Sequence, residues 1–218
     1  MFANDIDMLN GLDDRTESTS VLSQAEELMA DALGVNQGYF STGGFTLSVK
    51  TAFLALADVG DQVIVARNSN KSVVEAIILS GVEPVFAPPE WDEQWEISHP
   101  PAPATITRLL QEASEAKAVF LVSPTDYGVV GQLEAIAQAC HEAGKPLVVD
   151  EAWAAHFPWH PGLPVSAVHA GADLTIHSVH KSGAGLLQAA WCTSRETWWT
   201  RRRSGSAWTC SPQPARPR

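Results

Sequence analysis

The sequence predicts an α/β layered domain built on a mainly parallel sheet. Three observations point there. Helical and extended patterns alternate along most of the 218 residues, the pattern of chains that wind helices around a sheet. PLVVD (146–150) and ADLTIHS (172–178) read as buried runs, as strands covered by helices on both faces do. A composition of 45% apolar and 18% charged residues is an ordinary globular balance that fills a core and excludes a disordered chain.

The elements follow in order. SQAEELMADALG reads as a helix with Ser23 as its cap, an apolar stripe of Ala25, Leu28, Met29, Ala32 and Leu33, and Gly34 as its stop. Extended GYFST leads through a glycine turn into a second helix, TLSVKTAFLALADVG. A β-rich QVIVA, a helix around KSVVEAIILSG and an extended EPVFAP come next. PPEWDEQWEISHPPAPA, rich in Pro, Glu and Trp, is expected to be a surface connection. The alternation resumes with helix ITRLLQEA, strand KAVFLVS, helix QLEAIAQACHEAG and the strand PLVVD.

Charge and composition narrow the function. A net charge of -11 argues against a nucleic-acid partner, whose phosphates call for clustered Lys and Arg. That total divides unevenly, with residues 1–194 at -16 and the last 24 positions at +5. After Leu187 no Leu, Ile, Val, Met or Phe occurs in the final 31 residues, so that stretch cannot build a core of its own. No apolar run is long enough to span a membrane and the start, MFANDIDMLNGLDD, lacks the character of a signal peptide. Three scattered cysteines make neither a disulfide frame nor a Cys-based zinc site. A cytoplasmic protein with no membrane association is expected.

In a parallel sheet, ligands sit at the carboxyl ends of the strands. Four such ends carry suggestive residues: GYFSTGGFT, VFLVSPTDYG, PLVVDEAWAAH and LTIHSVHKSG. In the first, backbone N–H groups and the Thr46 hydroxyl at a helix start could hold an anion, or the glycines could simply make a tight turn. Neither G-x-G-x-x-G nor G-x-S-x-G is present, and the glycines near Lys181 follow it rather than precede it as in a P-loop. Asp150 closes an apolar strand, where a carboxylate is costly unless a partner meets it, and capping the next helix is the plainer alternative. Lys181 also follows a buried strand. It is either a loop lysine or an amine made available for imine formation, with glycines beside it leaving room for a cofactor. His156 and His160 stand four apart as a metal alternative, but Pro158 between them breaks a helical face. An anion cradle, an Asp and a Lys at successive strand ends are together what pyridoxal phosphate chemistry requires.

The run SVHKSGAGLLQAA resembles the cofactor attachment site of the Orn/Lys/Arg decarboxylase family, marked by Ser-x-His-Lys, small residues and Gln-Ala. DIDMLNGLDD, STGGFTLSVKTAFLALADVGDQVIVARNSNKSVVEAIILSG, VFLVSPTDYGV and VVDEAWAAHFPWHP resemble further family segments in the same order, so the likeness covers roughly residues 5–193. It implies the three-layer large domain of the aspartate-aminotransferase-like (fold type I) enzymes. It also implies a pyridoxal 5'-phosphate-dependent decarboxylase of ornithine, lysine or arginine, working as a homodimer or higher homo-oligomer. Residues 1–19 then form part of an amino-terminal segment, 20–193 the cofactor-binding domain and 194–218 an irregular basic tail outside the fold.

Carried over to this chain, Lys181 is the Schiff-base lysine and Asp150 the partner of the pyridine nitrogen. Ala152 packs on the ring, Trp153 lies close to it, and Phe45, Thr46, Ser178 and His180 hold the phosphate. Two departures stand out: Asn70 replaces a histidine that stacks on the cofactor ring, and Asp126 stands where tyrosine is common. Family members also continue beyond the lysine into a small carboxy-terminal domain that this sequence is expected to lack, and its Arg/Trp/Ser/Pro ending looks like a GC-rich gene translated out of frame. A catalytically impaired fragment, or another fold type I enzyme such as an aminotransferase, is the alternative.

Overall fold

The computed structural model describes residues 21–185 and 189–194. In chain order the elements are α1 (Val21–Leu33), β1 (Gln37–Ser41), α2 (Gly44–Leu56), β2 (Gln62–Ala66), α3 (Lys71–Ser80), β3 (Glu83–Ala87), β4 (Trp91–Asp92), β5 (Ile97–Ser98), α4 (Pro103–Glu112), β6 (Val119–Val122), α5 (Leu133–Glu142), β7 (Leu147–Asp150), α6 (Ala167–Ala170), β8 (Leu174–Ser178), α7 (Val179–Ser182) and β9 (Ala190–Ser194). A single 3-10 turn, Phe157–Trp159, lies between β7 and α6. Among the described residues no helix is long and apolar enough to cross a membrane.

Seven strands form one sheet in the order β1-β9-β8-β7-β6-β2-β3. Every neighbouring pair from β8 to β3 is parallel, whereas β9 runs antiparallel to both β8 and β1. Strand pleating sends successive side chains to opposite faces, and the two cores divide accordingly. Ile64, Ala66, Val119, Leu121, Leu147 and Val149 pack under α4, α5 and α6. Val63, Val65, Phe120, Val148 and Ile176 pack under α2 and α3, with the Phe53 and Phe120 rings 5.1 Å apart. This two-sided burial is why β2, β6 and β7 lack a polar face.

Local sequence explains most boundaries. Gly34, with φ +66°, ends α1, and Gly81, with φ +71°, ends α3. Pro103 opens α4, where its missing N–H costs nothing. Two expectations for α1 need correction. Ser23 lies within α1, which starts at Val21, and so is not its cap; Leu28 on that helix is exposed rather than buried. The connection at 88–104 contains the small antiparallel hairpin β4–β5. The strand AWCTS (β9) was not read from the sequence, although it is the link between β1 and the rest of the sheet.

The site is placed by topology. From β2 the chain moves outward to β3, then returns to the other side of β2 as β6. Connections leave β2 and β6 in opposite directions there, and the carboxyl ends of the strands open into a crevice.

Candidate active site

A cavity of about 340 Å³ occupies that crevice, lined by Gly43, Gly44, Phe45 and Thr46 from the start of α2, Asn68 and Asn70 after β2, Val122 and Asp126 around the end of β6, Asp150, Ala152 and Trp153 around the end of β7, and Ser178, His180 and Lys181 from β8 and α7. All eight residues that the resemblance gives to the catalytic and cofactor site, namely Phe45, Thr46, Asp150, Ala152, Trp153, Ser178, His180 and Lys181, border one space. They come from segments up to 136 positions apart in sequence, from Phe45 to Lys181.

Asp150 is the last residue of β7 and is only 3% exposed. Its backbone is fixed on both sides, in register with Val122 of β6 and Ile176 of β8. Its Oδ1 accepts one hydrogen bond, from the Ala152 N–H at 3.0 Å. Burial pushes its carboxyl up to about 7, the Ala152 N–H and Lys181 pulling the other way while Asp126 and Glu151 add to the rise. Such a group is a carboxylate short of a cationic donor.

Lys181 sits on the single turn α7, directly after β8, and is exposed to the cavity. Its Nζ lies 4.0 Å from the centre of the Trp153 ring, in cation–π contact, and 5.9 Å from that of Phe45. The indole is held in turn by its Nε1–H, which donates to Asp126 Oδ1 at 3.0 Å. The Ser182 hydroxyl accepts from the Ala155 N–H at 3.1 Å, tying the lysine turn to the segment after Asp150.

Opposite these, α2 starts at Gly44 with φ +75°, a conformation that side chains with a Cβ resist. Its N-cap, Gly43, has no side chain to occupy the first N–H groups of the helix. Those donors and the positive end of a 13-residue helix are suited to an anion. Ser178 Oγ and His180 Nδ1, 3.3 Å apart, border the same cavity.

Some features went unread or were misread in the sequence. Gly43, Gly44, Asn68 and Val122 also line the cavity; the glycines were visible as a turn, whereas nothing marks Asn68 or Val122. The glycines after Lys181 do not make room for a ligand. A Cβ at Gly185 would lie 2.2 Å from Val179 Cγ1, and one at Gly183 3.1 Å from the Val179 carbonyl oxygen, so both serve close packing of the chain on itself. Asn70 serves the fold, since its side chain accepts from the Ser72 N–H at 3.0 Å and caps α3. His156 and His160 flank the 3-10 turn, where the His156 ring packs on Phe157 and His160 Nδ1 accepts from the Gly162 N–H.

The chain has relatives among known proteins. An arginine decarboxylase of Bacillus subtilis is 37% identical over 193 residues, covering 88% of this chain and 39% of the relative. The chain thus spans about two-fifths of the length of that relative. In three dimensions, lysine decarboxylase A of Pseudomonas aeruginosa superposes with a TM-score of 0.71 at 22% identity, over 84% of this chain and 27% of that one. A variant aspartate aminotransferase of Thermus thermophilus gives 0.62 at 21% identity, over 79% and 48%. The architecture is therefore that of the fold type I, aspartate-aminotransferase-like enzymes. The family described as Orn/Lys/Arg decarboxylase, major domain, matches residues 1–209, a span that includes every strand end around the cavity. The chain accordingly belongs to the Orn/Lys/Arg decarboxylase family.

Proposed function

We propose that this chain carries the cofactor-binding core of a pyridoxal-phosphate-dependent decarboxylase acting on a basic amino acid: ornithine, lysine or arginine. The observation that carries the proposal is the convergence of the eight residues on one cavity, with a buried carboxylate on one wall and a lysine on another. Residues 20–193 would form the cofactor-binding domain.

The residues present fit the cofactor. Among the described residues no cation is paired with Asp150, and a protonated pyridine nitrogen would provide one. The uncapped start of α2, with Thr46, Ser178 and His180, offers donors for a phosphate. Phe45 would flank that phosphate, and Ala152 and Trp153 offer apolar surface to a flat ring. When bound, pyridoxal phosphate supplies a conjugated ring that accepts the electron pair left as an amino acid loses its carboxylate.

What remains falls to the protein. Lys181 Nζ would hold the aldehyde carbon covalently, then yield to the substrate amine and stand ready to move a proton at the substrate Cα. Asp150 would keep the ring nitrogen protonated, because a carboxylate buried this deeply gains most from a positive neighbour. Trp153, fixed by Asp126, would limit water on the side of the cavity where Lys181 lies.

A second reading, a chain that holds the cofactor without turnover, is favoured by one observation. Asn70 is spent on capping α3 and offers no aromatic face.

The test is a titration of the purified chain with pyridoxal phosphate, followed by borohydride reduction and peptide mass spectrometry. The expected outcome is a new visible absorbance band and a pyridoxyl group on Lys181, both lost in Lys181→Ala. An unchanged spectrum in that variant would refute the assignment. Carbon dioxide released from arginine, lysine or ornithine would support decarboxylation; a keto acid instead would point to transamination, and cofactor uptake with neither product to the second reading.

A further inference from the structure

Directly behind the cavity lies a polar cluster with no place in the chemistry above. Glu151 and His177 are 1% and 0% exposed, and His177 Nε2 meets Glu151 Oε2 at 2.7 Å. The same Oε2 accepts the Ser166 hydroxyl at 2.8 Å, and Oε1 accepts the Ala167 N–H at 2.7 Å. Glu151 is thus a hub bonded to three donors, one on β8 and two at the start of α6.

Stability alone is a poor reason for such a cluster. Burying two ionisable groups gains little over apolar residues of the same volume. The cluster also leaves costs unmet: His177 Nδ1 and Trp191 Nε1, whose rings are 5.5 Å apart, are buried without a hydrogen-bond partner among the described residues.

Its place in the chain offers another reason. Glu151 follows Asp150, and His177 precedes Ser178. Asp150 and Ser178 line the cavity, while Glu151 and His177 do not and face each other behind it. Adjacent residues in extended chain point to opposite sides, so a bond that fixes one of each pair fixes the direction of the other. β7 and β8 last pair at Asp150 and Ile176, where the Glu151 N–H still donates to the Ile176 carbonyl, and the side-chain bond extends that tie to His177.

We propose that Glu151 and His177 are positioning residues for the cavity, clamping the ends of β7 and β8 so that Asp150 and Ser178 are aimed into it. What the cavity holds rests on the function proposed above; the clamp itself can be read without the cofactor.

The experiment compares His177→Leu, which removes the donor, with His177→Gln, which restores an N–H at similar reach. Two readouts are taken: the pyridoxal phosphate dissociation constant, and amide hydrogen exchange at Ala152, whose N–H donates to Asp150, relative to amides of α3 in the cofactor-free protein. The Leu variant is expected to weaken cofactor binding and to speed Ala152 exchange by about tenfold each, with the Gln variant within about threefold of the parent. A Leu variant that matches the parent, or a Gln variant as impaired as the Leu variant, would overturn the proposal. Should the Leu variant fail to fold, Ser166→Ala removes one donor from Oε2 without touching β8; faster exchange at Ala152 supports the clamp and unchanged exchange overturns it. If the parent takes up no cofactor, the functional reading falls, and the exchange comparison still decides the clamp.

Discussion

Replacing Asp150 by asparagine should stabilise the cofactor-free protein in alkali while disabling the cofactor site. The Asp150 carboxyl is raised from its ordinary 3.8 to about 7, chiefly by burial. Between those two values the folded state binds more protons than the unfolded state, so stability falls as pH rises through the window and levels off above about 7. At 1.36 kcal/mol for each pH unit, the full penalty is about 4 kcal/mol, of which about a third is already present at pH 5. Asparagine has nearly the same shape and no charge to bury. The advantage of Asp150→Asn should therefore grow by about 2–3 kcal/mol from pH 5 to pH 8, a widening of roughly 5–10 °C in melting temperature for a chain of this size. Thermal unfolding followed by circular dichroism, without cofactor, at both pH values measures it. A melting difference that does not change with pH would refute the picture of an uncompensated buried carboxylate. With pyridoxal phosphate added at pH 8 the order should reverse, because only the wild type gains a cationic partner for Asp150.

Other substitutions probe separate parts of the structure. Phe120→Ala, which empties a fully buried site against Phe53, should cost about 3–5 kcal/mol in urea unfolding. Gly44→Ala forces a Cβ onto φ +75° and should lower stability by about 1 kcal/mol; calorimetric titration should show a larger loss of phosphate-bearing cofactor than of pyridoxal. Asn70→Ala removes the cap of α3 and should cost about 1 kcal/mol in denaturant unfolding, with Asn70→Ser restoring most of it. Trp153→Phe keeps an aromatic face but loses the bond to Asp126, so tighter cofactor binding in Trp153→Phe than in Trp153→Ala, by fluorescence titration, would separate the face from the bond.

The sequence was most legible where one physical cause dominates. Parallel strands covered on both faces are mostly apolar, so QVIVA, VFLV and LVVD stand out, and Asp150 is conspicuous because a carboxylate closes such a run. The convergence of the cavity residues follows from strand ends sharing one edge of the sheet, which the alternation of helices and strands already implies. β9 escaped notice because AWCTS contains no β-branched aliphatic residue and is recognisable only from its partners β8 and β1. Ser23 misled because a capping residue inside a helix looks the same in sequence as one at its start. The Glu151–His177 contact joins positions 26 apart on two strands, and no local pattern announces it.

The place of β9 governs when the site can form as well as where it lies. β1 joins the sheet through β9, so the strand that leads into the anion cradle at α2 has no sheet partner until the chain has reached Ser194. During synthesis, β3, β6, β7 and β8 can pair as they emerge, each beside a strand already made. The amino-terminal strand must wait for a contact spanning roughly three-quarters of the polypeptide, and contacts of that separation are slow to close. The lead-in to α2 is thus the last edge of the sheet to be fixed, although its residues are among the first translated. A nascent chain released before residue 190 would keep every residue that lines the cavity but leave β1, the strand that leads into α2, without its place in the sheet.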